Sequence, residues 1–97
     1  MNRQEIIESA KNLGVFLLGL SEEITSKHPE LETTVDVSRH FVRNEEHDDY
    51  IYVTFIVSTD GCETNIFYRH IGLSKYTKKQ EVDEFFDKVK EMYNNIK

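Results

Sequence analysis

Apolar residues at Ile6, Ala10, Leu13, Leu17, Leu20 and Ile24 are spaced by four, three, four, three and four. That rhythm predicts an amphipathic helix. Ile7, Phe16 and Leu18 widen its stripe. Asn2, with Glu5 three residues on, forms a capping-box pattern at its start. Pro29 forces the preceding residue out of the α region, so the helix stops near Ser26–Lys27. Gly14 and Gly19 each cost about 1 kcal/mol relative to alanine inside a helix. Close approach of a neighbouring helix would offset that cost, and plain tolerance is the alternative.

The pattern then changes to period two. From Leu31 to Val42, Leu31, Thr33, Val35, Val37 and Phe41 alternate with Thr34, Asp36, Ser38 and His40, as in a half-buried strand. After the polar stretch Asn44–Asp49, Tyr50–Ser58 is almost wholly β-branched or aromatic and predicts the central strand. Thr59-Asp60-Gly61 is a turn, Cys62–Ile71 a third strand and Gly72 to Tyr76 a loop. Thr77 with Gln80 suggests a second capping box. Val82, Phe85, Phe86, Val89, Met92, Tyr93 and Ile96 return to helical spacing. The expected fold is one α+β domain over residues 1–97. Its order is α-β-β-β-α, a three-stranded antiparallel meander with two helices on one face.

Register decides which side chains each face presents. Ile51, Val53, Phe55 and Val57 should face the core, and pairing Val37 with Phe55 brings Leu31, Val35 and Phe41 to the same side. A type I turn with Gly61 in the left-handed position makes a three-residue loop. It pairs Ser58 with Cys62, Val53 with Phe67 and Tyr52 with Tyr68. A two-residue Asp-Gly turn would flip every side chain of the third strand. The favoured register leaves His40, Tyr50, Tyr52, Ile56, Ile66, Tyr68 and His70 on the outer face. No third helix remains to cover them. Large mixed aromatic patches are seldom left bare on monomers, and tyrosine suits interfaces. The plainer alternative is cross-strand stabilisation by partly wet tyrosines.

Charge sharpens the picture unevenly. The net charge is −6. Residues 22–63 hold eleven acids against three bases, and residues 64–97 hold five acids against seven bases. An acidic middle, densest at Glu45, Glu46, Asp48 and Asp49, can steer a basic partner. It disfavours direct nucleic-acid binding, which rests on neutralising phosphates. Cys62 is the sole cysteine, so no internal disulfide is possible. The run Val15-Phe16-Leu17-Leu18 is far shorter than the ~20 apolar residues of a membrane span, and nothing resembles a signal peptide. A soluble, cytoplasmic protein is the expectation.

Chemistry-bearing motifs are sparse. His28, His40, His47 and His70 lack ligand spacing, so no metal or cofactor is expected. The acidic turn around His47 lacks the Asp/Asn/Gly spacing of a calcium loop. His40 and His70 could face each other across Tyr50 and Tyr52 as a proton-transfer pair. Asp60 and Glu63 disfavour a Cys62 thiolate. Gly72 to Lys75, with Lys78 and Lys79, could hold an anion at the start of the second helix.

The element order and Lys75, Lys78 and Lys79 resemble the double-stranded-RNA-binding domain. That resemblance implies lysine contacts to phosphate. The chain departs from the family in its acidic middle and its lysine spacing, and fold order does not carry function.

The leading expectation is a non-enzymatic protein-interaction module, an adaptor, chaperone-like or inhibitor protein acting as a homodimer. Its contact residues would be Tyr50, Tyr52, Tyr68, His40 and His70, with Glu45, Glu46, Asp48 and Asp49. The alternatives are an acidic nucleic-acid mimic and a small-ligand binder or enzyme using the His/Tyr face.

Overall fold

A computed structural model describes residues 1–41, 49–59, 61 and 64–97. The elements are α1 (Arg3–Lys27), β1 (Leu31–His40), β2 (Tyr50–Thr59), β3 (Asn65–Ser74) and α2 (Lys79–Ile96). The strands form one antiparallel sheet in the order β1-β2-β3. The α-β-β-β-α meander is therefore the observed fold. No helix among the described residues is long and apolar enough to cross a membrane.

The core follows the periodicities. The six stripe residues of α1 are buried with Val82, Phe85 and Val89 of α2 against Ile51, Val53, Phe55, Val57, Ile71 and Leu73 of the sheet. Both helices thus lie on one face. They meet where Phe16 and Phe86 pack with ring centroids 5.0 Å apart. Asn2 and Glu5 close the capping box at the start of α1, and His28 caps its end directly before Pro29.

Several local details differ from expectation. Leu18 does not widen the buried stripe but is largely exposed, as is Val15. Val37 lies on the helix side of the sheet yet keeps 48% exposure, because β1 is a marginal strand. Gly14 and Gly19 have no atom within 4 Å of where a Cβ would stand, so no helix approaches them closely. Thr77 is not the cap of α2, which starts after Lys78 without a side-chain cap. Its hydroxyl instead donates to the Gly72 carbonyl at 2.9 Å and accepts from the Ser74 amide at 2.9 Å, tying the end of β3 to the turn.

Both registers are shifted from those expected. Val37 pairs with Val53 and Val35 with Phe55. Val53 pairs with Ile71, Ile56 with Tyr68 and Val57 with Phe67. The second hairpin closes where the Thr59 amide donates to the Thr64 carbonyl at 2.9 Å, so β3 runs from Asn65 to Ser74 and absorbs the expected loop residue Gly72. Gly61 does adopt a positive φ of 76°. Beyond Val57↔Phe67 the next pair is Ser58↔Asn65, so β3 carries one extra residue, Ile66, as a bulge. The even shifts leave the side chains of β1, and of β3 from Phe67 onward, on their expected faces, whereas beyond the bulge the shift is three and Asn65 changes face.

Candidate interaction surface

The outer face is a lattice of rows running from β1 through β2 to β3. His40, Tyr50 and Ser74 form one row, followed by Ser38, Tyr52 and Gly72. Asp36, Thr54 and His70 come next, then Thr34, Ile56 and Tyr68. Among the described residues no element covers these rows, since both helices occupy the opposite face. Tyr52 and Tyr68 keep 47% and 54% of their surface.

Aromatic contacts run along and between the rows rather than into a pocket. The His40 imidazole stacks on Tyr50 with centroids 5.0 Å apart and planes 19° from parallel. Tyr50 meets Tyr52 edge-on at 5.0 Å. Tyr52 in turn lies over Gly72: a Cβ built there would stand 2.9 Å from the tyrosine Cε1. Glycine is therefore required opposite this tyrosine, and the ring shields a backbone stretch that carries no side chain. Tyr68 and His70 make a second cluster, edge-on at 5.8 Å.

The expected histidine pair does not form. His40 stands in the row of Tyr50 and His70 in the row of Thr54, on opposite marginal strands. Four residues along β2 at about 3.4 Å each already exceed proton-transfer reach. The cause is the shifted β3 register. Among the described residues no three His, Cys, Asp or Glu side chains gather as a metal-binding group.

The acidic turn divides. Glu45, Glu46 and Asp48 lie outside the described residues, as do His47 and Cys62. Asp49 is described and is not a surface acid. Its side chain is fully buried, and it accepts a hydrogen bond from the Arg3 guanidinium. Arg3 also lies over the Phe41 ring at 4.8 Å, with Arg39 over the same ring at 5.0 Å. This anchor of α1 at the mouth of the first hairpin was not foreseen. The only sequence signal for it is an acid directly before a buried strand.

The lysines that suggested an anion site are dispersed. Lys75 lies over Tyr76 at 5.1 Å, and Lys79 lines a groove of about 560 Å³ between α1 and α2 together with Glu5, Glu8 and Asp83. Carboxylates in that groove oppose phosphate binding. No family model, curated protein or solved structure matches the chain.

Proposed function

We propose that the chain is a non-enzymatic protein-interaction module that pairs with a second copy through the outer face of its sheet. The carrying observation is that Tyr52 and Tyr68 are exposed, with the half-buried Tyr50 and Ile56 beside them, on the face of the sheet opposite the helices. Patches of this kind on a small domain mark contact surfaces. Charge favours a second copy as the occupant. Among the described residues the outer face projects Asp36 near its middle and Glu32 at its end, and no lysine or arginine. A nearly uncharged face lets two chains of net charge −6 meet with little repulsion, and offers nothing to steer a strongly charged partner.

Size sets the expected strength. Three strands about 4.8 Å apart and ten residues of about 3.4 Å give a footprint of about 14 by 34 Å, with sheets stacking about 10 Å apart. That is at the small end of specific interfaces, which bury about 800 Å² per partner. The dimer is therefore reversible and concentration-dependent. Among the described residues, the clefts between the helices and beside β3 are not lined by Tyr50 or Tyr52, which supports a contact surface over an enclosed active site.

Sedimentation across a concentration series tests this. The expected result is a monomer–dimer equilibrium that Tyr52→Glu abolishes while circular dichroism stays native. A wild-type chain that is monomeric throughout, or a Tyr52→Glu variant that dimerises as well as wild type, refutes the dimer.

A further inference from the structure

The buried stripe of α1 has a counterpart on the side of the helix that faces away from the sheet. Lys11, Val15, Leu18 and Glu22 follow one another at steps of four, three and four, and all four are exposed. At about 3.6 residues per turn they fall on one line along the helix, across its axis from Ile6, Ala10, Leu13, Leu17, Leu20 and Ile24. Among the described residues, Val15 and Leu18 are the only large apolar side chains exposed on either helix, at 74% and 62%. Lys11 and Glu22 close the line at its two ends, and among the described residues neither is held in an ion pair. Gly14 and Gly19 flank it, with nothing within 4 Å of where a Cβ would stand.

The order of these residues is symmetric about the midpoint between Phe16 and Leu17. Val15 and Leu18 lie equally far from that point, as do Gly14 and Gly19, and Lys11 and Glu22. A two-fold axis through it sets a second α1 antiparallel on the first. Each Lys11 then stands opposite the other copy's Glu22, so both ends of the contact are attractive. Val15 and Leu18 of one copy interdigitate with Leu18 and Val15 of the other. Leu18 comes beside the second copy's Gly14, and Val15 beside its Gly19, where the missing side chains let the axes approach to about 8 Å. A parallel, in-register pair would instead set lysine against lysine and glutamate against glutamate. The line is therefore complementary to itself, which is what an isologous contact requires.

We infer that α1 carries a second surface for self-association, on which two copies of this chain pair antiparallel through Lys11, Val15, Leu18 and Glu22. The contact covers about 16 Å of helix, at about 1.5 Å per residue, and about 10 Å of width. That is smaller than the outer face of the sheet, so the contact is the weaker of the two, and sedimentation at ordinary concentrations reads the sheet face. The stripe faces away from the sheet, so both contacts fit on one chain at once. The helix contact does not rest on the sheet-face dimer, and Tyr52 takes no part in it.

Cysteine cross-linking reads a contact of this strength. In a chain carrying Cys62→Ser, Leu18→Cys sets the two thiol positions about 4.5 Å apart along the paired helices, within the ~7 Å between Cα atoms that a disulfide spans. Ser26→Cys, also exposed on α1, sets them about 28 Å apart. In a glutathione redox buffer Leu18→Cys should give about tenfold more disulfide-linked dimer than Ser26→Cys, because only the first pair is held together. Adding Lys11→Glu, or adding Glu22→Lys, should lower that yield about fivefold, since each turns two exposed attractive pairs repulsive. Mixing the two charge variants should restore it, because opposite charges then face each other at both ends. Tyr52→Glu in the Leu18→Cys chain should leave the yield unchanged. A Leu18→Cys yield no higher than that of Ser26→Cys overturns the inference. So does a yield that ignores both charge reversals, that mixing fails to restore, or that is lost with Tyr52→Glu, in variants whose circular dichroism is native.

Discussion

Along β2, Val53, Phe55 and Val57 lose all exposure, whereas Tyr52, one position from Val53, keeps nearly half of its own. Both sets are large and β-forming, and both belong to one strand. They differ only in which side the helices cover. Burying a Val, Leu or Phe side chain is worth about 1.5–3 kcal/mol, so the inner face supplies the stability of the fold. The outer face leaves comparable area in water, where it is available for contact. Substitutions on the inner face should therefore read out in stability, and those on the outer face in association.

The sharpest way to break this division is to charge the inner face. Leu17 is fully buried in the middle of the α1 stripe. Leu17→Asp should cost more than about 4 kcal/mol, because it removes apolar contacts and buries an unpaired carboxylate. Chemical denaturation checks this, and a loss below about 1 kcal/mol would contradict the packing described. Asp49→Ala comes next. It strands Arg3 and removes the tie between α1 and the first hairpin, at a cost of about 2–3 kcal/mol, below the range for fully buried pairs because Arg3 remains partly exposed. Tyr52→Glu, by comparison, should shift midpoints little while changing mass.

How the two faces were legible is clear from the registers. The true pairings differ from the expected ones by two residues at β1 and four at β3. Up to the bulge both shifts are even, so face membership survived there although the partners did not. Apolar alternation specifies the face strongly. It says little about sliding by two, because Val53, Phe55 and Val57 offer almost equivalent neighbours. The loop after Thr59 and the bulge at Ile66 decide the slide, and a bulge has no strong signature without a glycine. The histidine pair failed because the slides set His40 and His70 four residues apart along β2, on strands that β2 separates.

Smaller effects sharpen the comparison from the helix side. Gly14 and Gly19 face open space in α1, with no positive φ and no close neighbour. Gly14→Ala and Gly19→Ala should each stabilise by about 0.5–1 kcal/mol, mainly by restricting the unfolded chain. Thermal melts should rise for both. Gly72→Ala, on the bare face, should instead fall, since the new Cβ would displace Tyr52. Opposite signs for one substitution in two places would show that the outer aromatic row is packed against its own sheet even though it faces water.

The smallest expected effect lies where the two helices end. Lys27 donates to Glu23 at 3.0 Å and to the Tyr93 hydroxyl at 3.1 Å. Hydrogen bonding with Tyr93, and then with Lys27, holds the Glu23 carboxyl below its usual range. Hydrogen bonding with Tyr93, and then with Glu23, holds the Lys27 ammonium above its own. For Glu23 the folded value lies below the unfolded one. Its contribution is therefore present above the ordinary value of 4.5 and fades as pH falls through the lowered folded value. For Lys27 the order is reversed: the contribution is full below 10.5 and disappears as pH rises through the raised folded value. All three groups are solvent-accessible, so both effects are slight and screened by salt. Tyr93→Phe removes the largest cause of both shifts. It should move the Glu23 carboxyl titration in NMR upward, toward its ordinary range, with the Lys27 contact still holding it somewhat lowered, while leaving the melting midpoint at neutral pH almost unchanged. An unaltered Glu23 titration in that variant would show that the carboxyl does not sense Tyr93, and that the helix ends are joined by Lys27 alone.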